Sequence, residues 1–145
     1  MIKQSVCFGP FTGVGAVPEE LIKQSAAIGY ASVEIAPRTY WPLIKDSGLD
    51  IAISIGHDSL PDGLNKRSNH DRIEYELLAH IDEAAAHKIP TFIVFSGNSE
   101  GKTSEEGLAN CVECLHRVVP AASFVAYVGD IYFAFHYLVL QVRLL

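Results

Sequence analysis

The chain has 145 residues, 49% hydrophobic and 19% charged, which predicts one globular domain that buries a core without disulfides or a structural metal. A net charge of -6 excludes a general nucleic-acid binder, whose phosphate contacts need clustered Lys and Arg. Three cysteines in no framework spacing, and a start (Met1-Ile2-Lys3-Gln4-Ser5) without the apolar core of a secretory signal, predict a cytoplasmic protein.

Ile2 to Phe8 has strand character and stops at Gly9-Pro10, before a loop holding Gly13 and Gly15. Pro18 suits a first helical position, with Glu19 and Glu20 favoured by the helix dipole and Gly29 as the stop. A second strand is predicted over Ser32-Val33-Glu34-Ile35-Ala36. A short helix follows with Trp41, Leu43 and Ile44, and Gly48 stops it.

The third strand spans Asp50 to Ile55. After a polar loop, Ser68 or Asn69 caps a helix whose apolar face is Ile73, Leu77, Ile81 and Ala84 or Ala85. Ile89-Pro90 breaks it, and Thr91 to Phe95 is a continuous apolar run, as in a strand covered on both faces. Thr103 to Glu106 has the capping-box pattern of a fourth helix. That helix is expected to bury Leu108, Cys111 or Val112, Leu115 and Val118 or Val119, and to end by Pro120.

These are strand–helix units in series with no hairpin signal between strands, so parallel strands are expected. No Gly-x-Gly-x-x-Gly or Walker-type loop follows any strand, which disfavours a nucleotide-binding sheet. The fold class expected is α/β, a partial (β/α)8 TIM barrel, since a whole barrel takes roughly 250 residues. Residues 1–122 form this half-barrel. Residues 123–145 form an apolar tail, read as one or two β segments on the sheet or as a non-native continuation. A membrane span fits the tail poorly, because Asp130 and Arg143 resist burial in lipid.

The polar loop Gly56 to Asp71 concentrates donor, acceptor and basic groups at the carboxyl end of a strand, where α/β proteins usually place their chemistry. His57 there can hydrogen-bond a substrate hydroxyl, shuttle a proton or reach a metal, or simply bond to backbone or to Asp58. Glu34 alternates with Val33 and Ile35, which points it to the barrel interior, beneath a substrate or in an ion pair with Lys3 or Arg38. Asn65, Asn69 and His70 can line the same pocket, with helix capping the competing role of Asn69. Asn98 follows the fourth strand and either contacts substrate or forms a turn. Lys66 and Arg67 can draw in an anionic substrate or stay solvated. Cys111-x-x-Cys114 lies in mid-helix without a second ligand pair, so packing explains it better than redox or zinc chemistry. Tyr40 and Trp41 are packing or pocket-wall residues.

Taken together, Tyr30 to Ile35, Gly56-His57, Gly63-Leu64-Asn65 with Asn69-His70-Asp71, and Phe95 to Asn98 resemble the sugar phosphate isomerase/epimerase family. The likeness covers about residues 1 to 122 and is greatest to the hydroxypyruvate-isomerase-like branch of that xylose-isomerase-like TIM-barrel group. It implies proton transfer between adjacent carbons of a small hydroxy-carbonyl, sugar or hydroxy-acid substrate. It also implies a divalent metal, Mg or Mn, whose carboxylate ligands in the family lie mainly in the second half of the barrel and have no counterpart here. The resemblance makes His57 and Glu34 the catalytic candidates and Asn65, Asn69, His70 and Asn98 the substrate-binding ones, with no metal ligand assigned. The rival expectation is a non-catalytic half-barrel that binds a small polyol or pairs with a second copy through its open strand edges. Neither nucleic acid nor membrane is an expected partner.

Overall fold

The computed structural model describes residues 2–123, 126–127, 131–134 and 137–144. The chain is α/β and divides into two compact units, Met1–Ser54 with His87–Ile89, and Ile55–Ala86 with Pro90–Leu145.

The first unit holds β1 (Ser5–Cys7), α1 (Phe8–Thr12), α2 (Pro18–Ile28), β2 (Ser32–Glu34), α3 (Trp41–Asp46) and most of β3 (Asp50–Ile55). Its strands pair in parallel, with Val6 opposite Val33 and Val33 opposite Ile51. All three valine and isoleucine side chains are buried, so this row is the apolar face of the sheet. The other face carries Ser5, Cys7, Ser32 and Ser54, because side chains alternate along a strand, while a register shift after Val33 sets Glu34 opposite Ile53. β1 is shorter than the predicted Ile2 to Phe8. Phe8 instead opens α1, whose first turn accepts Pro10 because proline fixes a helical φ and those N–H groups have no partner inside the helix.

Helix α2 begins as expected, with Pro18 in its first turn beside Glu19 and Glu20. It ends at Gly29, whose φ of 98° lets its N–H and that of Tyr30 return to the last carbonyls. Trp41 is 1% exposed and donates its indole N–H to the Ala36 carbonyl at 3.1 Å, with its ring edge-on to His87. It is a core residue rather than a pocket wall.

The second unit holds most of α4 (His70–His87), β4 (Thr91–Phe95), α5 (Ser104–Ser123), β5 (Ala126–Tyr127), β6 (Ile131–Ala134) and β7 (Tyr137–Leu144). α4 buries Ile73, Leu77, Ile81 and Ala84 on one face, the row its apolar spacing predicts, and adds His80. β4 alternates rather than being buried throughout: Phe92 and Val94 are buried, and Thr91, Ile93 and Phe95 only partly.

Both capping-box bonds form at the start of α5. The Glu106 N–H donates to Thr103 Oγ1, and Glu106 Oε2 accepts from the Thr103 N–H. Cys111 and Val118 of the expected stripe are buried on α5 and Cys114 joins them, whereas Leu108 is exposed and Leu115 half-buried. α5 also runs through Pro120 to Ser123 instead of ending there. Proline there has no N–H to donate and its ring crowds the carbonyl four residues back, which belongs to His116, an exposed residue whose carbonyl water can reach.

The described residues beyond Ser123 form strands, and β7 pairs antiparallel with β4, from Thr91 opposite Arg143 to Phe95 opposite Val139. β5 and β6 in turn pair with β7. A continuing (β/α)8 barrel would place a parallel strand beside β4, so this edge departs from that pattern. Among the described residues, no helix is long and apolar enough to cross a membrane.

Burial pushes the Cys111 and Cys114 thiols up to about 11, which leaves roughly a thousandth of each as thiolate at pH 8. A thiol reagent at pH 8 is therefore expected to label Cys7 in the native protein, and the other two only after denaturation. Thr103→Ala removes the acceptor for the Glu106 N–H and is expected to cost about 1 kcal/mol in urea unfolding.

Candidate functional site

The polar loop after β3 is built by close backbone approach. The N–H groups of Leu64 and Asn65 donate to the carbonyls of Phe95 and Ser96 at 3.0 and 2.8 Å, and that of Asn98 returns to Pro61 at 2.9 Å. Residues 61–65 thus lie against the end of β4 and the turn after it. Gly63 makes this approach feasible, since a Cβ there would overlap the Phe95 carbonyl oxygen and the Gly97 nitrogen. Gly97, at φ 88°, meets it from the other side. Gly56 is confined in the same way, because a Cβ would lie 2.7 Å from Leu77 Cδ2 and 2.9 Å from Val94 Cγ1.

His57 is wholly buried, with its ring edge-on to Phe95 at 5.7 Å between centroids. Its Nε2 lies 2.9 Å from the Phe95 nitrogen and 3.2 Å from the Phe95 oxygen. The shorter contact has the N–H of Phe95 donating to Nε2, which puts the ring proton of neutral His57 on Nδ1. Among the described residues, Nδ1 has no hydrogen-bond partner although it is buried. Burial holds the imidazole below its ordinary value, opposed by the Phe95 carbonyl, which favours the cation, and helped by Arg72.

Asn65 is 4% exposed and donates Nδ2 to the carbonyls of Asn98 at 2.7 Å and Gly97 at 3.4 Å. Asn110 of α5 donates to the Asn65 carbonyl at 2.8 Å. Asn65 Oδ1, like His57 Nδ1, is buried with no partner among the described residues. His70 is also buried, its Nε2 2.9 Å from the Leu64 carbonyl. Asn69 donates to the Gly63 carbonyl at 3.4 Å from a 3₁₀ turn (Arg67–Asn69) that leads into α4.

Charged groups brace the rim. Lys66 bonds Asp62 at 2.6 Å and Glu100 at 2.5 Å, so its ammonium ties the loop to the turn after β4. Arg67 bonds Glu113 at 2.9 Å. Arg72 bonds Glu76 at 2.9 Å and the Asp62 carbonyl at 2.7 Å, while Glu76 accepts the Asp58 N–H at 3.1 Å. Burial works to raise the Glu76 carboxyl, but Arg72 and the Asp58 N–H hold it below the usual range.

The second unit thus brings together His57, Asn65, Asn69, His70 and Asn98, of which only Asn98 is exposed. Glu34 belongs to the first unit, at the end of β2, with Cys7 as its register partner on β1. The expected alternation through Ile35 stops early: the register shifts between Val33 and Glu34, and Ile35 turns to φ 57°. A β-branched residue in that region is strained by roughly 1–3 kcal/mol. A bulge and a strained residue at the carboxyl end of a strand re-aim the side chain there, which is Glu34. Cys7 on the same polar face, and the brace from Asn110, are features that the spacing of polar residues did not signal.

Among the described residues, no three His, Cys, Asp or Glu side chains are grouped to hold a metal ion. No protein-family model matches the chain, and no curated protein matches it.

Gly63→Ala is expected to cost about 3 kcal/mol in urea unfolding, because two backbone segments would have to separate. Gly9→Ala, where a Cβ meets nothing within 4 Å, is the control and is expected to change stability little.

Proposed function

We propose that the chain binds a small hydroxy-carbonyl or sugar compound at the loop 56–66 and the turn after β4, as a relative of the hydroxypyruvate-isomerase-like enzymes. The observation that carries this reading is the pair of buried, unpartnered atoms on one loop, His57 Nδ1 and Asn65 Oδ1. Backbone bonds on the far side of each group set their roles: Nδ1–H is a donor and Oδ1 an acceptor. Polar atoms buried without partners are uncommon, and each calls for an occupant such as a water or a ligand group. A hydroxyl supplies both an acceptor and a donor, and a carbonyl oxygen would accept from Nδ1–H.

In this reading His57 is a positioned donor, Asn65 orients the ligand hydroxyl, and exposed Asn98 meets the ligand at the rim. Asn69 and His70 shape the loop through the Gly63 and Leu64 carbonyls. Glu34, in the first unit, stays a candidate base on the strength of the resemblance alone, and the loop site is argued without it. A Mg or Mn ion, if supplied, would polarise the carbonyl and hydroxyl oxygens, but the described residues offer no ligand group for it and no step is routed through one.

A second reading, binding without turnover, is favoured by one observation. His57 is wholly buried and its Nε2 is committed to Phe95, which suits a fixed donor better than a proton shuttle.

The test is titration of the purified chain with hydroxypyruvate and a panel of small ketoses, with and without Mn²⁺ or Mg²⁺, followed by NMR of the Asn65 amide and by product analysis. Saturable shifts are expected, weakened about tenfold in His57→Gln, which keeps an acceptor for Phe95 and loses the Nδ1–H donor. Metal-dependent product would make the chain an isomerase, and binding alone would make it a binding module. No shift with any compound at millimolar concentration would overturn both.

A further inference from the structure

We propose that the His57–Phe95 contact is a proton-operated latch, in which protonation of the imidazole frees residues 57–65 from the end of β4 and opens the loop to solvent. One ring nitrogen faces both the N–H and the C=O of Phe95, at 2.9 and 3.2 Å, and can serve only one of them at a time. The neutral ring accepts from the N–H. The cation has no acceptor to offer, so it turns to the carbonyl, and the Phe95 N–H loses its partner. Nδ1–H is buried without a partner among the described residues in both protonation states, so that side of the ring offers the cation no acceptor.

The charged groups facing the ring do not offset this. From α4 come Arg72, which repels a cation, and Glu76, which attracts it but is already bonded to Arg72 and to the Asp58 N–H. Asp58 on the loop itself is exposed, and β4 presents the Phe95 ring and backbone. What else holds the segment is its backbone bonds to Phe95, Ser96 and Asn98, the Asn65 side chain on the Asn98 and Gly97 carbonyls, and the Lys66–Glu100 pair. Glu76, Arg72, Asn69 and His70 also bond residues 58–64, so the latch acts against all of these.

The sign follows from linkage. Closure favours the neutral ring, so below pH about 6.5 the open form takes up the proton first. The opening constant then rises about fivefold over the first pH unit and toward tenfold per unit below that, until the closed form is protonated as well. The latch stands on this geometry, and only its use, admitting a ligand to His57 and Asn65, rests on the proposed binding function.

Hydrogen exchange of the whole protein, corrected for the intrinsic pH dependence, tests it between pH 6.5 and 5.5. Segments 57–65 and 95–98 are expected to exchange about fivefold faster at the lower pH, while 5–7 and 32–34 do not change. In His57→Gln the acid response is expected to vanish. Unchanged protection in the wild-type loop, or the same response in His57→Gln, would overturn the latch. Should that variant not fold, the ring titration of His57 by NMR decides, since a midpoint at or above 6.5 also overturns it. Failure of the ligand titrations would leave these results untouched, so the two claims fail separately.

Discussion

The second unit depends on one close approach, that of Gly63 to the backbone at the end of β4. No side chain fits between them, and the contact sets the path of every polar residue in the loop. Once Gly63 lies against Phe95 and Gly97, the Leu64 and Asn65 amides reach their carbonyls, and the side chains of His57, Asn65 and His70 turn inward. A loop that spends its polar side chains on backbone groups is rigid, which is what a preorganised binding surface requires. The same economy leaves a residue: one atom of His57 and one of Asn65 have no partner among the described residues. The functional proposal and the latch both grow from that remainder.

Much of the local structure was legible because its signals are local. Pro18 and Gly29 bound α2, Gly48 takes φ 78° after α3, and Thr103 with Glu106 closes a capping box. The apolar spacing of α4 named its buried face. Misreadings arose where tertiary packing outvoted pattern. In α5, Cys111 and Val118 are buried as expected and Cys114 joins them, but Leu108 is exposed. Phe8 left its strand for a helix, and Pro120 stayed inside one. The antiparallel pairing of β7 with β4 is a long-range choice that no residue in either segment announces.

The candidate site was legible as a place but not as a set of roles. Polar density after β3 marked the loop, and several of its residues do gather there. What spacing could not tell is which atoms are consumed by the scaffold: Nε2 of His57 and Nδ2 of Asn65 go to β4 and its turn. Nor could it foresee that Glu34 sits on a bulge followed by a strained Ile35. Such strain is costly, and a strand end that keeps it places Glu34 differently from a regular strand.

The tautomer of His57 tests this account most directly. A long-range nitrogen–proton correlation spectrum at pH 7.5 reads it without any variant or ligand. The account predicts a protonated Nδ1 and an unprotonated Nε2, with the Phe95 amide proton coupled to that nitrogen. A proton on Nε2, donated to the Phe95 carbonyl, would make Nδ1 an acceptor, and both the assigned donor role and the latch would be wrong.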